Sequence, residues 1–446
     1  MVEDTGGQYR KIIHKNGKIG SGKMQGKHKE SGRGQEMADK VAGAVEGVTL
    51  EEAIALLLDC VTPVEETESL PLLSCSSRIL AEDVVAGIDN PPFNRSPIDG
   101  YACRSQDLAE ASPENPALLR VVEEIDAGMW PKQPVGAGEA ARIMTGAPIP
   151  SGADCCVYQE KTDYGEEQVR IYAPCKPYGN FCFQGEDMKA GTTVLRKGTR
   201  LTYAEIGILA GLGRREAAVY RKTRTAVLAS GDELAAPGAP LPPGKIYDNN
   251  LYFLAARLEE LGISVPVMKR IPDEEEQMAQ ALKEAAAGCD LVITTGGVSV
   301  GKRDIMHEAL RLAGAERLFW KILMKPGMPT IGSVLDGIPV ISLSGNPFGA
   351  LADFELLVRP MLAAISRDKV LLAKETMATL AVPFPKASPS RRFLRGTVTD
   401  GRVFLPAAEK HSSGILSSMA GCNCLVEVPA GTPALDAGDV VRVIMV

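Results

Sequence analysis

A chain of 446 residues with 45% hydrophobic and 24% charged residues has the composition of an ordinary water-soluble protein, long enough for about three domains with cores of their own. Its net charge of −7, with no apolar run long enough to cross a bilayer, excludes a membrane-embedded protein and argues against nucleic acid as the main partner. The acidity is uneven: the first 34 residues hold eight Lys or Arg, three acids and eight glycines, so the remainder carries about −12.

That composition predicts a solvated, disordered tail over residues 1–47, lacking the apolar segment of a signal peptide, and a cytoplasmic location. Ordered structure is expected from Val48. Thr49-Leu-Glu-Glu52 is a capping box opening a helix with Leu50, Ile54, Leu57 and Leu58 as its apolar stripe. Residues 96–187 read as short strands split by Gly and Pro, a small β domain inserted into a helical one. A second capping box, Thr202-Tyr-Ala-Glu205, opens a helix that stops near Gly213. From 222 to 366 strands and helices alternate. Ala226–Ala229, Ile263–Met268, Leu291–Thr295 and Ile338–Leu343 are the strands. The helices start at Asp248–Asn250, at Asp273, after Asp304 and at Pro347, with Asn346 as the last cap. This alternation predicts a mostly parallel sheet covered on both faces, with ligands at the carboxyl ends of its strands. From 367 to 446 short alternating strands return, a small barrel or sandwich.

Ten cysteines include Cys155-Cys156 and Cys422-Asn-Cys424, neither with the two-residue gap of zinc or redox pairs, so reduced and mostly buried thiols are expected. Four histidines leave the chemistry to carboxylates, lysines, hydroxyls and backbone. The richest stretch is Leu291-Val-Ile-Thr-Thr-Gly-Gly-Val-Ser-Val-Gly-Lys-Arg-Asp304. A buried strand runs into a glycine turn and a helix start, a cradle for phosphate with Asp304 at its lip to hold a cation. Two further acidic loops, Ser230-Gly-Asp-Glu233 and Ile271-Pro-Asp273, leave the same side of the sheet, and three converging acids suit a divalent cation clamped against phosphate. Lys321 and Lys325, in Trp320-Lys-Ile-Leu-Met-Lys-Pro-Gly-Met-Pro329, read as a strand leading into a loop fixed by Pro326 and Pro329, suited to an oxyanion. Asn94–Ala102 and Arg142–Pro148 are irregular loops that turn building explains as well as function does.

In this order, Ser96-Pro-Ile-Asp-Gly-Tyr-Ala102, Arg142–Pro148, Gly185-Glu-Asp187, Ser230–Leu234, Gly296-Gly-Val-Ser-Val-Gly301 with Asp304, Lys325-Pro-Gly327 and Gly345-Asn-Pro347 resemble the MoeA family of molybdopterin molybdotransferases, which includes the E domain of gephyrin. The resemblance runs from Val48 to Val446. It implies a multidomain α/β plus β protein. A linking domain (48–95 and 188–221) is interrupted by an inserted β domain (96–187), then come a MogA-like three-layer α/β molybdopterin-binding domain (222–366) and a C-terminal β-barrel (367–446). It implies a homodimer that takes adenylylated molybdopterin from a molybdopterin adenylyltransferase, inserts molybdate and releases AMP, using Mg²⁺ or another divalent cation. Carried over by motif, Asp304, Asp273 and Glu233 would surround the metal, and Gly296, Gly297 and Ser299 would hold a phosphate. Lys321 and Lys325, with Arg395 and Ser413, would attract molybdate. Asp99, Thr145 and Asp187 would face the cleft from the inserted-domain side, and Asn346 belongs to the substrate loop.

Three positions depart from the pattern. Ser344 stands where a proline is common, Gly349 replaces a serine associated with molybdate, and Cys182 replaces a frequent arginine. The last two remove a hydroxyl and a charge from the implied site. Rival expectations are an adenylyltransferase, which accounts for residues 222–365 only, a tungstate-inserting paralogue, and a scaffold, for which intact acidic loops are unnecessary.

Overall fold

The structure is a computed structural model that describes residues 45–299 and 305–446. Two compact units divide it: residues up to Thr67 together with Tyr220–Val446, and Glu68–Val219 between them. Among the described residues no helix is long and apolar enough to cross a membrane.

The first unit is built on a seven-stranded sheet in the order Val45–Val48, Glu316–Ile322, Ile331–Leu335, Ile338–Leu343, Leu291–Thr295, Arg224–Ser230, Ser264–Ile271. Its neighbours are parallel except around Ile331–Leu335, which runs against both of its own. The side-chain alternation of a strand explains the three layers. On strand Arg224–Ser230, Val227 and Ala229 face one core and Ala226 and Leu228 the other. Helices Leu50–Asp59, Asn250–Glu260 and the run from Pro347 to Ile365 cover the first face; Glu275–Gly288 and Met306–Ala313 cover the second.

Two expectations change here. Strand structure begins at Val45, not Val48: residues 45–48 lie beside Phe319–Ile322 in parallel, so the expected tail of 1–47 reaches three residues too far; residues 1–44 lie outside those described. The Leu50–Asp59 helix does carry its capping box, with Thr49 Oγ1 accepting from the Glu52 amide at 3.2 Å and Glu52 from the Thr49 amide at 2.8 Å. It packs Leu50, Ala53 and Leu57 into the α/β core instead of a separate linking domain.

The same unit ends in a closed five-stranded barrel. Arg391–Thr399, Arg402–Phe404, Glu375–Leu380, Val440–Met445 and Cys424–Val428 follow one another, and the last pairs back on the first. A two-residue strand of the α/β domain, Met324–Lys325, joins this barrel in parallel, Met324 opposite Arg391 and Lys325 opposite Arg392.

The second unit holds a five-stranded sheet in the order Cys155–Tyr158, Gly100–Cys103, Glu139–Ile143, Ala117–Ile125, Gln168–Ile171, with an apolar cluster on each face. Helix Tyr203–Gly211, capped as expected by Thr202 and Glu205, and two short strand pairs form the rest. One helix and short ladders around Leu80, Leu201, Leu209 and Val219 make that part far less helical than the sequence suggests. The ten cysteines carry no disulfide, and burial pushes the Cys156 thiol up to about 12.

Candidate functional site

The strands Arg224–Ser230, Leu291–Thr295 and Ile338–Leu343 run parallel and release their loops on one side of the sheet. Strand Leu291–Thr295 turns at Gly296 (φ +93°) and Gly297 (φ +64°). A Cβ on Gly296 would meet the Ser230 carbonyl oxygen at 2.3 Å, so only glycine lets these two loops approach. The Gly296 amide donates to the Leu343 carbonyl at 3.3 Å, which engages one of the two amides expected to hold phosphate. Ser299 is exposed at the end of this loop, and Asp304 lies outside the described residues. Asn250 ties the neighbourhood together, its Nδ2 donating to Thr295 Oγ1 and to the Gly345 carbonyl, each at 2.9 Å.

The acidic loops latch onto each other. The Asp232 amide donates to Asp273 Oδ2 and the Asp273 amide to Asp232 Oδ1, both at 3.2 Å, and Ser230 Oγ donates to Asp273 Oδ1 at 2.5 Å. Asp273 therefore meets Asp232, which the sequence contained but did not distinguish from exposed Glu233 next to it. Among the described residues no three metal-capable side chains gather at one point. The donor set nonetheless suits a hard cation: Asp232 and Asp273 are oxygen ligands held by backbone amides, each with lone pairs left over.

The basic residues separate. Lys325 lines a cleft of about 620 Å³ between the α/β domain and the barrel. Its walls include Ser344, Asn346, Ser413 and the ring of Phe348, with two cations the sequence did not single out, Lys386 and Arg392. Among the described residues Glu409 is the only acid lining it, against the three cations Lys325, Lys386 and Arg392. The placement of Arg392 follows from its register opposite Lys325, a tertiary pairing invisible in Arg391-Arg-Phe-Leu-Arg395. His411 stacks on Phe384 with centroids 5.7 Å apart, and its Nε2 lies 2.7 Å from the Pro406 carbonyl, which can only accept, so that nitrogen carries the proton.

Lys321 is not part of this cleft. Its Nζ lies 2.6 Å from Glu46 Oε1 on the edge strand and over the Trp320 ring, a structural pairing in place of the expected oxyanion contact. Arg395 is 2% exposed; its Nη2 donates to the Lys410 carbonyl and, at 2.7 Å, to that of Ser412, and its guanidinium lies over Phe348. It shapes the loop that bears Ser413 and does not itself line the cleft. Asn346 has the expected cap conformation but no side-chain cap bond; the Ser413 carbonyl accepts the Phe348 amide at 3.0 Å instead. Ser344 and Gly349 are coupled, since a Cβ at Gly349 would lie 2.9 Å from both side-chain atoms of Ser344.

In the second unit Asp99 and Thr145 do meet. Asp99 Oδ1 accepts from the Thr145 amide at 2.7 Å and from its hydroxyl at 2.6 Å, bonds that hold its carboxyl below the usual range. Asp187 accepts from Asn90 Nδ2 at 3.1 Å. Cys182 Sγ sits 2.6 Å from Glu186, whose carboxylate raises the thiol.

Family models match three consecutive stretches: the MoeA N-terminal region (domains I and II) over residues 48–213, a probable molybdopterin binding domain over 226–364, and the MoeA C-terminal region (domain IV) over 377–446. A molybdopterin molybdenumtransferase of Staphylococcus epidermidis is 39% identical over 370 residues, covering 82% of this chain and 88% of that one. One from Staphylococcus aureus is 37% identical over 389 residues, covering 86% and 93%. A solved molybdopterin biosynthesis MoeA protein from Pyrococcus horikoshii is 32% identical, with a TM-score of 0.79 over 90% of this chain and 99% of its own.

Proposed function

The chain belongs to the MoeA family, and from that premise we propose that its cleft binds molybdate for insertion into adenylylated molybdopterin, with release of AMP. It is a transferase of molybdenum cofactor synthesis. The observation that carries the molybdate site is the Lys325 cleft, where among the described residues Lys325, Lys386 and Arg392 face a single acid. Fixed cations at one opening suit a tetrahedral dianion, and the hydroxyls of Ser344 and Ser413 supply neutral donors beside them. Relatives matching over four-fifths of the chain are named for molybdenum, which favours molybdate over tungstate.

The pterin phosphate is assigned to the Gly297–Ser299 turn. Mg²⁺, or another divalent cation, is assigned to Asp273 and Asp232, joined by Glu233 and Asp304. When bound it would offset the pyrophosphate charge as AMP leaves. The protein's own part is to align: the latched acidic loops fix the nucleotide end, and the cleft holds the oxyanion. Asp99, Thr145 and Asp187 are assigned to the cleft of a second copy in a homodimer, and an adenylyltransferase is the enzyme that supplies the substrate.

Lys325→Ala provides the test. A charged hydrogen bond is worth roughly 1.5–3 kcal/mol, so the molybdate needed for half-maximal AMP release should rise by about one to two decades and excess molybdate should restore turnover. Unchanged molybdate dependence would remove the oxyanion from this cleft.

A further inference from the structure

We propose that Asp353 stands in the folded chain as the neutral acid and, through Thr330, is the positioning residue that fixes the Lys325–Gly327 loop, so that oxyanion binding depends on its proton. The part concerning the oxyanion rests on the reading of the Lys325 cleft given above. Asp353 closes the helix Pro347–Asp353 and is 0% exposed, as is Thr330. Thr330 Oγ1 lies 2.7 Å from the Gly327 carbonyl oxygen and 2.8 Å from Asp353 Oδ2. A hydroxyl has one proton to give, and a carbonyl has none. Were Asp353 ionised, both neighbours of that hydroxyl would be acceptors, and one short oxygen–oxygen contact would hold no hydrogen. A proton on Asp353 Oδ2 resolves this: the acid donates to Thr330, and Thr330 donates to Gly327.

Two further facts agree. Asp353 Oδ1 is buried without a partner, a state tolerable for the carbonyl oxygen of a neutral acid and costly for a carboxylate. Among the described residues no cation is bonded to the carboxyl either. The loop packed on it bears Lys325, whose side chain is exposed in the cleft. The turn before its helix offers the Ser344 amide at 3.4 Å, and Glu355 on the following turn is bound by Arg257 and Arg359 at 2.8 Å each. Burial accordingly pushes the Asp353 carboxyl up to about 8, opposed only by the Thr330 hydroxyl and the Ser344 amide. The contact with the loop is close: a Cβ on Gly327 would lie 1.8 Å from Asp353 Oδ1.

The sign is the reverse of the usual carboxylate. The folded chain keeps this proton between pH about 4 and about 8 while the unfolded chain has lost it, so the group's contribution to stability falls across that window. Above pH about 8 the acid ionises, cannot donate, and competes with Gly327 for the Thr330 proton, which frees the Lys325 loop.

Equilibrium dialysis of molybdate against the full chain, from pH about 6.5 to 9.5 and without the pterin substrate, tests this with Asp353→Asn, Thr330→Val and Lys325→Ala. Wild type should lose affinity above pH about 8, by up to about tenfold per unit. Asp353→Asn, whose amide still donates to Thr330, should bind without that alkaline decline, whereas Thr330→Val should bind weakly at every pH. The infrared stretch of a neutral buried carboxyl should be present in wild type at neutral pH and missing from Asp353→Asn. No such band, or an alkaline decline that persists in Asp353→Asn, overturns the proposal. Unchanged binding in Lys325→Ala with the band present would instead overturn the oxyanion reading of the cleft and leave the protonated acid standing.

Discussion

Lys321 and Lys325 show how little a side chain's sequence neighbourhood says about its partner. Both lie in a basic stretch leading to a proline-flanked loop, yet one is bound to Glu46 and the other opens onto the cleft. Lys321→Ala should therefore leave the molybdate constant within about twofold and cost at most about 1 kcal/mol in urea unfolding, since its partner is largely exposed. Arg395→Ala should behave differently, because two loop carbonyls lose their donor and Phe348 its stacked cation. A loss of about 1–3 kcal/mol in stability is expected, with a weaker molybdate constant caused by a loosened Ser413 loop. If Arg395→Ala abolished molybdate binding at full stability, the guanidinium would be a direct ligand. Of the neighbouring arginines the resemblance singled out Arg395, whereas Arg392 lines the cleft, because burial and pairing across strands assign their roles.

Elements were legible where local chemistry decides. Both capping boxes form, and the glycine turn follows its strand as the pattern required. The antiparallel pair Glu316–Ile322 and Ile331–Leu335 was not legible as a pair, because its register shifts between Arg317 and Phe319 and breaks the alternation. Gly332 allows that pairing: a Cβ there would lie 2.3 Å from the Phe319 ring. Gly332→Ala should overpack this site by roughly 1–3 kcal/mol and lower the melting temperature. Asp353 was missed for a related reason, since nothing local distinguishes an acid buried beneath a loop from one facing solvent. The Asp99–Thr145 hydrogen bonds were likewise not legible, since the motifs placed both residues on one cleft without pairing them.

At the scale of the whole molecule the local patterning already gave a succession of segments to which the resemblance attached domain roles, while the structure reassigned the first helix to the α/β core. The edge strand Val45–Val48 follows from that reassignment. Truncation after residue 44 keeps it, whereas truncation after residue 48 exposes the flank of Glu316–Ile322 and removes buried Val48. The second truncation should cost roughly 1.5–3 kcal/mol more than the first, read as a melting temperature several degrees lower. The proposed homodimer has its own test: Lys325→Ala mixed with Asp99→Ala should regain AMP release in mixed dimers, and full inactivity in verified mixed dimers would put both residues in one subunit's site.

The two-rung ladder between Met324–Lys325 and Arg391–Arg392 sets Lys325 beside Arg392 at roughly the 4.8 Å strand spacing. Two positive charges held side by side by backbone geometry repel, and no side chain movement can separate their Cα atoms. The ladder thus concentrates positive charge where the barrel meets the α/β domain, and a dianion bound as proposed above offsets it. Molybdate should act as a fastener as well as a substrate: it should raise the melting temperature by mass action, more so at low ionic strength, and much less in Lys325→Ala. The cohesion of barrel and α/β domain and the affinity for the oxyanion are then two readings of one electrostatic balance.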